Sequence, residues 1–85
     1  MKVLIPTPLR SYTGAGEIEA HGTTLGAVLA DLDRRYPGLR FRIVDEQDRL
    51  RPHVRFFVNR EAVFDLGHPL QQGDELAIVQ ALSGG

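Results

Sequence analysis

Residues 73–85 read Gly-Asp-Glu-Leu-Ala-Ile-Val-Gln-Ala-Leu-Ser-Gly-Gly, and the way this stretch divides decides the fold. Gly73-Asp74 is a turn signal, and Glu75 to Val79 carries the apolar content of a strand in the middle of a sheet. Ala81-Leu82-Ser83-Gly84-Gly85 then leaves the strand as a polar tail whose last two residues lack Cβ atoms. Such a backbone is thin enough to thread a narrow channel in another protein, which would make the chain end the reactive group. A frayed terminus is the competing reading of the tail taken alone. The other segments decide between the two.

Working back from that strand, residues 66–72 form a loop pinned by Leu66 and Leu70. Val54, Phe56 and Val58 alternate with Arg55 and Phe57 as a second clear strand, and Asn59-Arg60-Glu61 turns it into Ala62-Val63-Phe64. The clearest helix opens on Thr23 or Thr24 as N-cap and carries Leu25, Val28, Leu29, Leu32 and Tyr36 at helical spacing. Pro37-Gly38 stops it, Arg34 and Arg35 complement its C-terminal dipole, and Asp31 and Asp33 fall off its apolar stripe. Gly26 in its first turn marks a close approach to the sheet. Residues 39–44 fit a strand or a helix, because Leu39, Phe41 and Ile43 alternate while Leu39 and Ile43 stand one helical turn apart. Residues 2–9 read as a strand whose later half Pro6 and Pro8 push to an edge or out of the sheet. Thr13-Gly14-Ala15-Gly16 turns it into a short second strand over residues 17–20, with Ile18 inward, making a hairpin. Hairpin, long helix and three further strands give an α+β roll: a mixed sheet of four to five strands with one main helix packed across one face.

The 85 residues suffice for one domain, residues 1–81, followed by a flexible tail at 82–85. The sequence has no apolar run long enough to span a bilayer and no leader pattern, so a soluble, cytoplasmic protein is expected. With no cysteine, thiol nucleophiles, disulfides and Cys-based metal sites are excluded. The net charge of −1 supplies no global attraction to nucleic acid or anionic membrane. Of the ten basic residues, nine are arginine and one, Lys2, is lysine. A modifier that built chains on its own lysines would have one site to use.

His21, His53 and His68 lie in three separate segments without metal-ligand spacing, and no phosphate-binding loop or nucleophile elbow occurs. No bound cofactor, no metal site and no self-contained hydrolase are expected. Arg40, Arg42, Arg49, Arg51, Arg55 and Arg60, interleaved with Phe41, Phe56 and Phe57, could face RNA through stacking aromatics. Against that, Phe56 is a core position, nearby acids offset the charge, and arginine serves protein interfaces equally well. What remains is a carboxylate at Gly85. It is a poor electrophile until an ATP-using partner converts it to an acyl-adenylate, from which a sulfur donor can displace AMP and leave a thiocarboxylate. Four extended residues reach ~13 Å, enough for the tail to enter a buried site while the folded body docks outside.

The run His68-Pro69-Leu70-Gln71-Gln72-Gly73-Asp74-Glu75-Leu76-Ala77-Ile78, followed by Ser83-Gly84-Gly85, resembles the C-terminal third of MoaD/ThiS-type ubiquitin-like sulfur carriers. Thr24-Leu25-Gly26 and Phe57-Val58-Asn59 fit the same family. Ile5-Pro6-Thr7-Pro8-Leu9-Arg10 with Thr13-Gly14 is more similar to the CysO-type carriers that serve a PLP-dependent cysteine synthase. Gln80 departs from the pattern, since many relatives have proline before the tail. The resemblance implies a β-grasp fold and favours a short second helix over residues 39–44. It also implies a protein co-substrate, not an enzyme in its own right, although it could be counted as the small subunit of a molybdopterin-synthase-type complex.

The same resemblance implies a ubiquitin-activating-type adenylating enzyme as partner, with a sulfurtransferase or sulfide as sulfur donor. The acceptor would be a molybdopterin synthase large subunit, a PLP-dependent cysteine synthase, or a thiosugar or thiazole synthase. No nucleic acid or membrane partner is implied. Gly85 and Gly84 are the expected reactive end, with ATP consumed by the partner and a thiocarboxylate carried covalently on Gly85. Residues flanking the tail are expected to form the docking face. Val79, Leu82 and Ser83 are its first candidates, with Leu9, Phe57 and Val63 as an apolar patch on the sheet face opposite the helix. A ubiquitin-like modifier joined through Gly85 to target lysines is the alternative.

Overall fold

The computed structural model describes residues 1–81. Five strands, β1 (Lys2–Leu4), β2 (Glu17–Glu19), β3 (Val54–Val58), β4 (Glu61–Val63) and β5 (Glu75–Gln80), form one sheet. Their order is β2-β1-β5-β3-β4, which puts the last strand at the centre. β5 runs parallel to β1 and antiparallel to β3, and the two outer pairs are antiparallel. Parallel neighbours need a long crossover, here built around a helix packed on the sheet. Three helices complete the fold: α1 (Arg10–Thr13), α2 (Leu25–Arg35) and α3 (Leu39–Ile43).

The stripe expected on the long helix is the one that packs. Leu25, Val28, Leu29 and Leu32 of α2 are fully buried, as are Val3, Phe56, Leu76 and Ile78 from three strands to within 2%. At ~1.5–3 kcal/mol per buried large apolar side chain, this layer is the main source of the fold's stability. Thr24 caps α2 by accepting from the Ala27 amide at 3.1 Å. The β3–β4 connection is a two-residue turn with Asn59 at φ 50° and Arg60 at φ 73°, the backbone twist that matches a tight hairpin.

The structure corrects three local expectations, on the first strand, Gly26 and Asp31, and finds the helix that the family resemblance favoured over residues 39–44. The first strand ends at Leu4, and residues 7–9 form a 3₁₀ turn that leads into α1. Pro6 and Pro8 deny the ladder its donors, so the β1–β2 pair is joined by these two turns and not by a tight hairpin. Residues 39–43 are helical, with Gly38 at φ 94° supplying the left-handed entry that lets a second helix start directly after the first. Gly26 approaches a loop and not the sheet: its amide donates to the Leu66 carbonyl at 2.8 Å, and a Cβ there would stand 3.3 Å from that oxygen. Asp31 lies on the shoulder of the α2 stripe and is buried, with 7% of its surface exposed.

Candidate docking surface at the root of the C-terminal tail

β5 delivers the end of the chain from the middle of the sheet. Its pairing with β3 holds through Val54↔Gln80, and the Ala81 amide extends the contact by donating to the His53 carbonyl at 2.8 Å. The ladder with β1 stops earlier, at Leu4↔Ala77, where β1 turns away. At the other end, Asn59 holds the entry to β5. Its amide donates to the Glu75 carbonyl at 2.9 Å, its side-chain oxygen accepts from the Glu75 amide at 3.0 Å, and its Nδ2 donates to Asp74 at 3.0 Å. Asp74 also accepts from the Gln71 amide at 2.8 Å, and these two donors hold its carboxyl below the ordinary aspartate pKa.

The helices cover one face of the sheet and leave the other open. Strand registers align Leu4, Ala77, Phe57 and Ala62 in one row across four strands, with Val79 opposite Arg55 in the next row toward the tail. Val79 is 44% exposed, and Phe64, two residues beyond Ala62, is 68% exposed. Lys2 bounds this apolar strip at the far end, between Glu17 at 3.8 Å and Glu75 at 3.7 Å.

Consecutive side chains of a strand point to opposite faces. Where Val79 faces the open side, Gln80 therefore faces the helix side, into a cleft of about 350 Å³ lined by Phe41, Arg42, Arg51, His53 and Gln80. The root of the tail lies between an apolar face and this basic cleft.

Of the residues expected at a docking face, Val79 and Phe57 lie on the open side. Leu9 and Val63 do not. Leu9 ends the 3₁₀ turn and is buried to 1% exposure, because the prolines divert the chain inward before it. Val63 pairs with Phe56 and shares its core-facing side, so Ala62 and Phe64 take the outward positions. Leu82, Ser83, Gly84 and Gly85 lie outside the described residues. The sequence reading missed Leu4, Ala77, Ala62 and Phe64 at this face, because the alignment of the first three with Phe57 comes from strand registers that no local pattern gives. It also missed Asn59 as the anchor of β5, because its partners are fifteen or more positions away.

A family model described as the ThiS family matches residues 3–85. The chain belongs to the ThiS family. This ThiS-family chain is 38% identical over 89 residues to a protein named sulfur carrier protein CysO from Mycobacterium tuberculosis, covering 98% of this chain and 96% of that one. Among solved structures, CysO from the same organism superposes with a TM-score of 0.89 at 37% identity over 95% of this chain and 98% of that one. A chain in the Amycolatopsis orientalis BexX/CysO complex gives 0.90 at 35% identity, over 99% and 98%. The small archaeal modifier SAMP1 from Haloferax volcanii gives 0.79 at 30%, over 100% and 98%. The ThiS-family chain thus has the β-grasp fold, and this kinship supports the general role of a sulfur carrier.

Proposed function

We propose that the chain carries sulfur as a thiocarboxylate on Gly85. A ubiquitin-activating-type enzyme joins the Gly85 carboxylate to the α-phosphate of ATP and releases pyrophosphate. Hydrosulfide, or a sulfurtransferase supplying its equivalent, then attacks the acyl carbon. A carbon–sulfur bond forms, the bond to AMP breaks, and AMP leaves with the electron pair. The thiocarboxylate sulfur is the nucleophile handed to an acceptor enzyme. The protein is then a co-substrate, and chemistry at the acyl carbon belongs to its partners.

One observation carries this reading: a tail rooted at the end of a central strand, beside an open apolar face, in a chain that matches CysO sulfur carriers over nearly the full length of both. The docking face suits an enzyme that must hold the folded body while a glycine tail enters its active site. The relative solved with BexX is one protein of this fold in complex with a partner, and the second partner that the carrier reading requires here is an acceptor enzyme. Cysteine, molybdopterin, thiazole and thiosugar pathways are the acceptor classes to test.

The test is intact mass after incubation with ATP, the activating enzyme and sulfide. The carrier reading expects the mass to rise by the exchange of one oxygen for sulfur, and an unchanged mass with a competent activating enzyme would sink it. The likeness to SAMP1 favours one second reading, a modifier linked through Gly85 to lysines of other proteins. Isopeptide adducts of the chain in cell extract, without free thiocarboxylate, would select it.

A further inference from the structure

The carrier reading leaves the arginine- and phenylalanine-rich middle of the chain unused. The structure gathers part of it at one place. Arg51 lies over the Phe41 ring at 4.6 Å and donates from Nε to the Phe41 carbonyl at 2.7 Å, which fixes its guanidinium in the cleft beside Gln80. Arg42 lies on the same wall and is exposed. Among the described residues neither arginine has an acidic partner. Asp45, the acid whose carboxyl feels Arg51, is already bridged to Arg49 at 3.5 Å and accepts from the Gln47 and Arg49 amides. Gln80 Oε1 is buried with no hydrogen-bond donor among the described residues. An unpaired buried acceptor costs about 1–3 kcal/mol, so a bound group that supplies a donor there would be favoured.

We propose that the Phe41–Arg42–Arg51–His53–Gln80 cleft seats an acidic segment of the activating enzyme. This deepens the carrier reading and rests on it. A carboxylate of that segment pairs with the guanidiniums of Arg42 and Arg51, and an N–H or hydroxyl of the same segment donates to Gln80 Oε1. An acidic peptide brings both kinds of group, a carboxylate for the arginines and a separate N–H or hydroxyl for Gln80, whereas a phosphodiester group offers only acceptors and would leave Gln80 unpaired. The location supports the same partner. The cleft borders the residue from which the tail departs, so an enzyme that encloses the tail while resting on Val79 also covers Gln80. Charges at such a rim act chiefly on encounter rate and on salt dependence.

The test uses the full chain and the adenylating enzyme of the same organism. The dissociation constant is measured at low and high sodium chloride for wild type, R42E and the double variant R42E/R51E, with intact mass after sulfide loading read in parallel. The expected result is binding weakened roughly tenfold by R42E at low salt, more by the double variant, with a flattened salt dependence in both. Arg42 makes no hydrogen bond through its side chain among the described residues, so R42E is expected to melt as wild type does and remains informative if the double variant unfolds. Unchanged binding and salt dependence in R42E would overturn the proposal. Displacement of the enzyme by inorganic phosphate at matched ionic strength, or by single-stranded RNA, would overturn it in favour of those ligands. Wild type that binds the enzyme but gains no sulfur defeats the carrier reading and leaves the cleft assignment standing. Sulfur gain with wild-type affinity in R42E does the reverse.

Discussion

At the scale of single residues, Asp31 shows how a charge is kept inside so small a protein. It accepts from the His21 amide at 3.0 Å and from Arg35 at 3.2 Å, and it bonds Arg34, while Arg35 also reaches the Glu19 carbonyl. The carboxylate thereby ties the middle of α2 to the exit of β2. The backbone donor is the largest reason its pKa is lowered, burial opposes the shift, and the two guanidiniums add to the lowering. A carboxyl with a folded-state pKa below its unfolded value of about 3.9 stabilises the fold fully above that value and loses the contribution as pH falls through the folded one. Asp31→Asn is therefore expected to cost about 1 kcal/mol at neutral pH, near the low end for such a group because both arginines are solvated. Urea melts of the two proteins should converge as the pH falls from about 3.9 through the lower folded-state pKa, since protonated Asp31 then resembles Asn. A constant difference across that range would refute the account. Sequence spacing placed Asp31 off the apolar stripe and hid this role, and Arg34 and Arg35 three and four positions later were the available signal.

At the scale of elements, the entry to α2 depends on contacts that no local pattern reveals. Thr24 was legible as an N-cap, and the apolar stripe after it fixed the helix and its buried face. The amides of Leu25 and Gly26, however, are satisfied by the His68 carbonyl at 3.0 Å and the Leu66 carbonyl at 2.8 Å, from a loop roughly half the chain length downstream. The loop is held in return where the Leu70 amide donates to the Thr23 carbonyl at 2.9 Å. Periodicity reports which face a helix buries, whereas long-range backbone pairing of an irregular loop has no period to read. Two substitutions test this entry. Thr24→Ala removes one cap bond of several and should cost about 1 kcal/mol. Gly22→Ala places a Cβ 2.6 Å from the Val28 amide nitrogen and 2.9 Å from the Ala27 carbonyl carbon, both backbone atoms that cannot swing aside. It should cost more, about 1–3 kcal/mol, through displacement of the first turn. For a domain of this size each kcal/mol lowers the melting temperature by ~4–8 °C, so thermal denaturation should rank wild type above Thr24→Ala and Thr24→Ala above Gly22→Ala. The reverse order of the two variants would show that the cap, and not the close approach, governs the helix start.

At the scale of the whole molecule, the sheet separates two demands. One face buries the core against α2, and the other lies open as the proposed docking face; β5, with Ile78 inward and Val79 outward, contributes to both. The order of the strands and the main helix, and the central place of the last strand, were legible in the sequence, whereas the helical turns over residues 7–13 were not. The membership of the open face was legible only in part, because Leu9 and Val63 look no different from Val79 until strand ends and registers are known. That separation makes the docking face testable without confusing it with stability. Leu9→Ala, which empties a core site, should cost about 2–5 kcal/mol and lower the melting temperature while leaving the folded fraction competent in sulfur loading. Val79→Asp and Phe57→Asp should do the opposite. Each places a carboxylate on the open face of the sheet, where water solvates it in the free protein and an apolar partner surface would not. Their melts should stay close to wild type, with Phe57→Asp losing somewhat more because Phe57 is half-buried. The apparent Michaelis constant for the carrier in sulfur loading should rise at least tenfold, whereas the turnover number at saturation should hold, since neither residue reaches the reacting carbon. A loss confined to turnover would move the role of these residues from docking to placement of the tail. An unchanged Michaelis constant in both variants would remove the open face from the encounter altogether.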